Sequence, residues 1–138
     1  MEPKMRADEI QTFLAEVFPQ IDDRFTVEEV GPMTARVRMT VRESDLRPGG
    51  TVSGPAMFTL ADCGFYIVVL AMIGREALTV TTNCSIDFMR KPAPGDLIGE
   101  AVIHKLGRVL AVGDVLIRSA EGGPPVARAS LTYSIPPR

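Results

Sequence analysis

From Gly54 to Ile73 the chain reads Gly-Pro-Ala-Met-Phe-Thr-Leu-Ala-Asp-Cys-Gly-Phe-Tyr-Ile-Val-Val-Leu-Ala-Met-Ile and carries a single charge, Asp62. A segment this apolar must be covered on all sides, either by lipid or by the rest of the protein. The uninterrupted apolar run after Asp62 is only about eleven residues, too short for a span, and an acid in mid-membrane is expensive. The remainder of the chain reads as strands in need of a cover, so the segment is expected to be a buried core helix within residues 53–74. Its punctuation agrees: Ser53 suits the N-cap, Pro55 the first turn and Gly74 the C-terminal stop.

Before this segment, Ile10, Phe13, Leu14 and Val17 recur at spacings of three and four, which predicts an amphipathic helix within residues 1–20 that Pro19 ends. From Phe25 to Val41 the period becomes two, with Val37, Met39 and Val41 on one face and Arg36, Arg38 and Thr40 on the other. This predicts one strand, preceded by a turn at Gly31-Pro32. After the apolar segment, Leu78, Val80, Cys84, Ile86 and Phe88 alternate with Thr79, Thr81, Asn83, Ser85 and Asp87, giving a long strand with one wet face. Leu97 to Lys105 and Val109 to Arg118 form a hairpin around Leu106-Gly107-Arg108, and Val126 to Ile135 is a last strand. Strands joined by such short connections pair antiparallel, and residues 77–135 can bury the helix only by curling around it. The expectation is a single α+β domain over residues 1–138.

Composition narrows the function. With 138 residues, of which 46% are hydrophobic, the chain can bury one real core. A formal net charge of −2 gives no broad attraction to nucleic acid or to an anionic membrane. Cys63 and Cys84, the two cysteines, lack CxxC spacing and further ligands, so they read as buried thiols and no metal is expected. Asp8, Glu9 and Glu16 do not fit the layout of a secretory signal, which makes the cytoplasm the expected compartment.

The stretch Pro48-Gly-Gly-Thr-Val-Ser-Gly-Pro-Ala-Met-Phe-Thr-Leu-Ala-Asp62 resembles the hotdog-fold acyl-CoA thioesterases of the phenylacetate-degradation type, whose signature runs Asn, Gly, His-Gly-Gly, then Leu-x-Asp on the central helix. The segments Leu78 to Pro94 and Lys105-Leu-Gly-Arg108 also match that family's pattern. The loop glycine is kept as Gly50, the first glycine of His-Gly-Gly as Gly54 and the helix acid as Asp62. Arg47 stands for the Asn, Ser53 for the His and Pro55 for the second Gly. The resemblance implies a hotdog fold, a homo-oligomer (dimer or tetramer), an acyl-CoA or aryl-acyl-CoA substrate and no cofactor beyond the CoA of that substrate. It further implies Gly54 as oxyanion donor, Asp62 as base or nucleophile, and Thr81 at a position where relatives carry a Ser or Thr near the acid. Hotdog dehydratases use a histidine where this chain has Ser53, which argues against that chemistry. The alternative is a non-catalytic acyl-CoA-binding hotdog protein.

The residues support this reading physically. An N–H at a helix start is polarised by the aligned peptide dipoles and suits the negative oxygen formed when a thioester carbonyl is attacked. A Ser53 cap would bond Ala56, since Pro55 has no N–H, leaving the amide of Gly54 free. An ionised carboxylate among apolar side chains costs several kcal/mol unless paired or functional, which singles out Asp62 as a general base or nucleophile. Hydrogen bonds from neighbouring threonines would be the structural explanation. Eight residues at about 1.5 Å each put Asp62 roughly 12 Å from Gly54, too far for one reacting carbon. A two-fold dimer with antiparallel helices would bring Gly54 of one subunit opposite Asp62 of the other. For substrate contacts the candidates are Ser53, Arg47, Gly50 and Thr81, with Arg90, Lys91 and Arg108 able to meet CoA phosphates. Arg47 is open to either a ligand anion or a pairing with Asp45 or Glu43, and His104 reads as a sheet residue.

Overall fold

The computed structural model describes residues 1–21 and 23–137. Helix α1 (Ala7–Val17) is followed by a 3-10 turn at Pro19–Ile21, by strands β1 (Phe25–Gly31) and β2 (Thr34–Met39) and by a second 3-10 turn at Glu43–Asp45. Helix α2 (Gly54–Ile73) comes next, and β3 (Val80–Phe88), β4 (Leu97–Leu106), β5 (Leu110–Ser119) and β6 (Ala127–Ser134) complete the chain. The six strands form one antiparallel sheet in the order β1-β2-β4-β5-β6-β3, curved around α2. This is the hotdog architecture.

Helix α2 is apolar all round because it is enclosed: Leu60, Phe65, Ile67 and Leu70 are fully buried between the sheet and α1. Each such side chain contributes about 1.5–3 kcal/mol by leaving water. Its length and composition would also suit a membrane crossing, but most of its residues are buried inside the domain. One glycine is demanded by this packing. A Cβ on Gly113 would lie 2.6 Å from the Phe65 ring and 2.1 Å from the Val102 carbonyl oxygen, so only Gly lets the ring rest on the sheet backbone.

Two strands stand where one is expected between Phe25 and Val41. They join in a tight turn in which Pro32 presets the entry and Met33 takes a positive φ of 60°. The first strand is hard to see in the sequence because the register shifts between Val27 and Glu29, leaving Glu28 as an extra residue that breaks the alternation. A similar shift occurs between Thr81 and Asn83 in β3, around Thr82. Helix α1 is sewn to β1 by one side chain: the Gln11 amide donates to the Phe25 carbonyl at 2.8 Å and accepts from the Val27 N–H at 2.8 Å.

Candidate active site

Helix α2 begins as its punctuation requires. Ser53 has extended backbone angles, and its hydroxyl accepts from the Ala56 N–H at 3.2 Å. Pro55 has no N–H to offer, so the Gly54 amide is left without a partner among the described residues. The loop delivering it is tied down. Arg47 N–H donates to Thr51 at 2.9 Å, Gly50 N–H to Arg47 at 2.9 Å, Val52 N–H to Pro92 at 3.0 Å and Ser53 N–H to Asp45 at 2.8 Å. Gly50 takes φ of 82°, a conformation that side chains other than Gly rarely adopt.

Gly54 has a second reason to be Gly. A Cβ there would sit 3.3 Å from the Phe88 ring, which reaches from the end of β3 onto the first turn of α2. A cavity of about 390 Å³ opens at this point, lined by Arg47, Gly54, Met57, Phe88, Arg90 and Lys91 among others. Three cations thus gather around a free helix-start amide, a setting that favours an anionic or phosphorylated ligand. Arg47 is not paired with Asp45, which instead takes the Arg24 guanidinium at 2.7 Å; Arg47 and Lys91 make no ion pair among the described residues. Arg90 donates to the Pro125 carbonyl at 2.5 Å.

Asp62 lies two turns further along α2 on the wall of a different cavity, of about 440 Å³. Val17, Phe18, Tyr66, Val80 and Tyr133 give that cavity an apolar and aromatic wall, and Thr79 and Thr81 add hydroxyls. One carboxylate oxygen, Oδ1, accepts from the Thr81 hydroxyl at 2.5 Å and from the Tyr133 hydroxyl at 2.7 Å. The other, Oδ2, has no donor among the described residues and is not sealed from solvent. Burial, followed by the charge of Asp62, pushes the Cys63 thiol up to about 12 and raises Cys84 as well, so both are held as thiols beside the acid.

The structure thus brings Arg47, Gly54, Arg90 and Lys91 to one cavity, with Ser53 and Gly50 in the loop that forms it, and Asp62 and Thr81 to another. One expectation changes. Thr81 is not on the wet face of its strand: the bulge at Thr82 turns it inward, in phase with Cys84 and Ile86, so that it meets Asp62. Arg108 stands on the β4–β5 turn and lines neither cavity. His104 sits on the outer sheet surface, bonded to Asp114 at 2.8 Å. The residue not foreseen is Tyr133, whose place in the inward row Leu131, Tyr133, Ile135 reads as ordinary core.

Fold and site together define a hotdog protein with an acid on the central helix and a free amide at that helix's start. Residues 49–126, more than half of the chain, match the Thioesterase superfamily, and the chain belongs to that family. The crystal structure of a proposed thioesterase from Silicibacter sp. TM1040 is similar at 54% identity with a TM-score of 0.91, covering 99% of this chain and 96% of that one. The phenylacetic acid degradation protein PaaI of Thermus thermophilus, solved as a mutant, is 26% identical with a TM-score of 0.72 over 86% of this chain and 99% of that one. A proposed esterase of Deinococcus radiodurans is 32% identical over 99 residues, a match that spans 71% of this chain and 65% of that relative.

Proposed function

We propose that the protein is an acyl-CoA thioesterase of the cytoplasm, hydrolysing an acyl- or aryl-acyl-CoA to the free acid and CoA in a site shared between the two subunits of a homodimer. The observation that carries this reading is the separation on one helix of a carboxylate with a free oxygen from an unpartnered amide, about 12 Å apart along the axis. Neither can serve the other's reaction within one chain, and a two-fold axis running antiparallel copies of α2 past each other unites them twice. The cations around Gly54 would hold the CoA phosphates, and the aromatic cavity beside Asp62 of the partner would take the acyl group.

Hydrolysis then needs little more. Asp62 accepts a proton from water as the oxygen adds to the thioester carbon, and the oxyanion is met by the Gly54 amide of the other subunit. Collapse of the tetrahedral species breaks the C–S bond, and the CoA thiolate leaves and takes up the proton. If Asp62 instead attacks the carbon itself, the resulting anhydride is opened by water to the same products.

The test is a panel of acyl-CoA esters read by thiol release, on wild type, Asp62→Ala, Gly54→Val and a co-expressed mixture of the two variants. Each variant alone should lose about a thousandfold in rate. Random mixing should restore about a quarter of wild-type activity, because half of the dimers would then hold one intact site. Binding of the esters with no thiol release from wild type would favour the non-catalytic alternative, and full activity of Asp62→Ala would end the proposal.

A further inference from the structure

Resting on the hydrolase reading above, we propose that Tyr133 is a positioning residue: with Thr81 it ties Oδ1 of Asp62, so that Oδ2 is the oxygen held toward the cavity for reaction. The two donors come from neighbouring strands in one register. Thr81 of β3 and Tyr133 of β6 are direct cross-strand partners, and their hydroxyls reach the same oxygen at 2.5 and 2.7 Å. Tyr133 also lies 2.8 Å from the backbone carbonyl of Asp62, so its one proton is directed at two acceptors of a single residue.

The need for such a tie follows from the side chain it holds. The terminal torsion of an aspartate is broad and nearly two-fold, and a carboxylate at a cavity wall would otherwise exchange its oxygens freely. Two donors on one oxygen break that symmetry and leave the second oxygen for water or for the thioester carbon. Tyr133 suits the task because it cannot move. It is buried, with its ring 5.4 Å from that of Phe65 and 6.3 Å from that of Tyr66. Burial, and then the charge of Asp62, push its phenol well up, so it keeps its proton and remains a donor. Tyr66, the other phenol near the acid, is already committed to the Ala77 carbonyl at 2.8 Å.

Tyr133→Phe keeps the ring and deletes only the hydroxyl. Steady-state rates on an ester that the wild type turns over should show kcat lowered about tenfold with KM within about twofold, and a melting temperature close to wild type. In an Asp62→Asn background the same change should cost almost nothing further, because the hydroxyl acts through the acid. Thr81→Val, at the sheet edge, should show the same split, and Thr81→Ser should retain wild-type kcat. An unchanged kcat in folded Tyr133→Phe, or an equal loss in both backgrounds, overturns the inference while leaving the hydrolase standing. Should Tyr133→Phe not fold, full turnover in Thr81→Val overturns it. A wild type that releases no thiol from any ester overturns both.

Discussion

The two edges of the sheet are built to opposite ends. At β1, the Gln11 amide occupies the Phe25 carbonyl and the Val27 N–H, and a bulge sets Glu28 and Glu29 side by side on the surface. They bracket Arg36 at 3.2 and 3.1 Å, while Arg38 reaches Asp96 at 2.9 Å. Occupied backbone groups, a bulge and a row of charges are how a sheet refuses another strand. At β3 the refusal is weaker. Among the described residues the strand pairs only with β6, its side chains include Thr82, Asn83, Ser85 and Asp87, and Val80 and Phe88 near its ends are each 52% exposed. An edge whose one charge, Asp87, is already paired with Arg128 at 3.0 Å is suited to a second copy of the chain, and it is the edge along which the α2 acid and the α2 amide both lie. Even the bulges differ in use: the one in β1 puts charge outside, and the one in β3 puts a hydroxyl inside.

The sharpest way to break this comparison is to give β3 the character of β1. Asn83→Glu together with Ser85→Glu places like charges along the proposed two-fold, and light scattering should then report the 14.9 kDa mass of one chain. Turnover should fall by more than about a hundredfold with the monomer folded, since the proposed shared site would then lack one half. A dimeric, active double variant would show that the edge is not the interface. A smaller effect is expected at the far end of the same edge. Arg47→Ala with Lys91→Ala should raise KM for a CoA ester about tenfold and flatten its dependence on salt, with kcat little changed, because both cations are expected to meet phosphate rather than the reacting carbon.

The thiol beneath the open edge offers a pH test. Cys63 stands at about 12 in the fold against an ordinary 9.0, so its contribution is whole below pH 9 and is lost as pH rises from there toward 12. Across that window the unfolded chain releases a proton that the folded one retains, and wild type should lose up to about 1.4 kcal/mol of stability per pH unit more than Cys63→Ala. Denaturant midpoints at pH 9 and pH 11 measure it, and parallel curves for the two proteins would refute the burial of that thiol.

How much of this could be read from the residues depended on whether the cause was local. The core helix was legible because its cap, its first-turn proline and its stop lie within its own sequence, and Asp62 because it is the lone charge there. The free Gly54 amide followed from the chemistry of Pro55 alone. The first strand and the inward turn of Thr81 were not legible, because a bulge is one extra residue in a run whose composition still reads as strand. Tyr133 was hidden for a different reason: its partner is 71 residues away, and an inward tyrosine between Leu131 and Ile135 has the pattern of packing. Arg47, Arg90 and Lys91 could be suspected singly, but it is the bond from Val52 to Pro92 and the Phe88 ring on Gly54 that bring the loop before the helix against the segment after β3.

The smallest effect should come from the edge that refuses. Arg36 is about half exposed, and both of its carboxylate partners stay in reach of water, so each ion pair is screened and must order two long side chains. Arg36→Ala should therefore lower stability by no more than about 1 kcal/mol, an effect that shrinks as salt is added. Its mass in solution and its turnover should match wild type, since Gln11 still occupies the backbone of β1 and the bulge remains. If the variant instead forms larger assemblies, the charges are the barrier at this edge. In that case Gln11→Ala, which frees the Phe25 carbonyl and the Val27 N–H but keeps the charges, should remain at the wild-type mass.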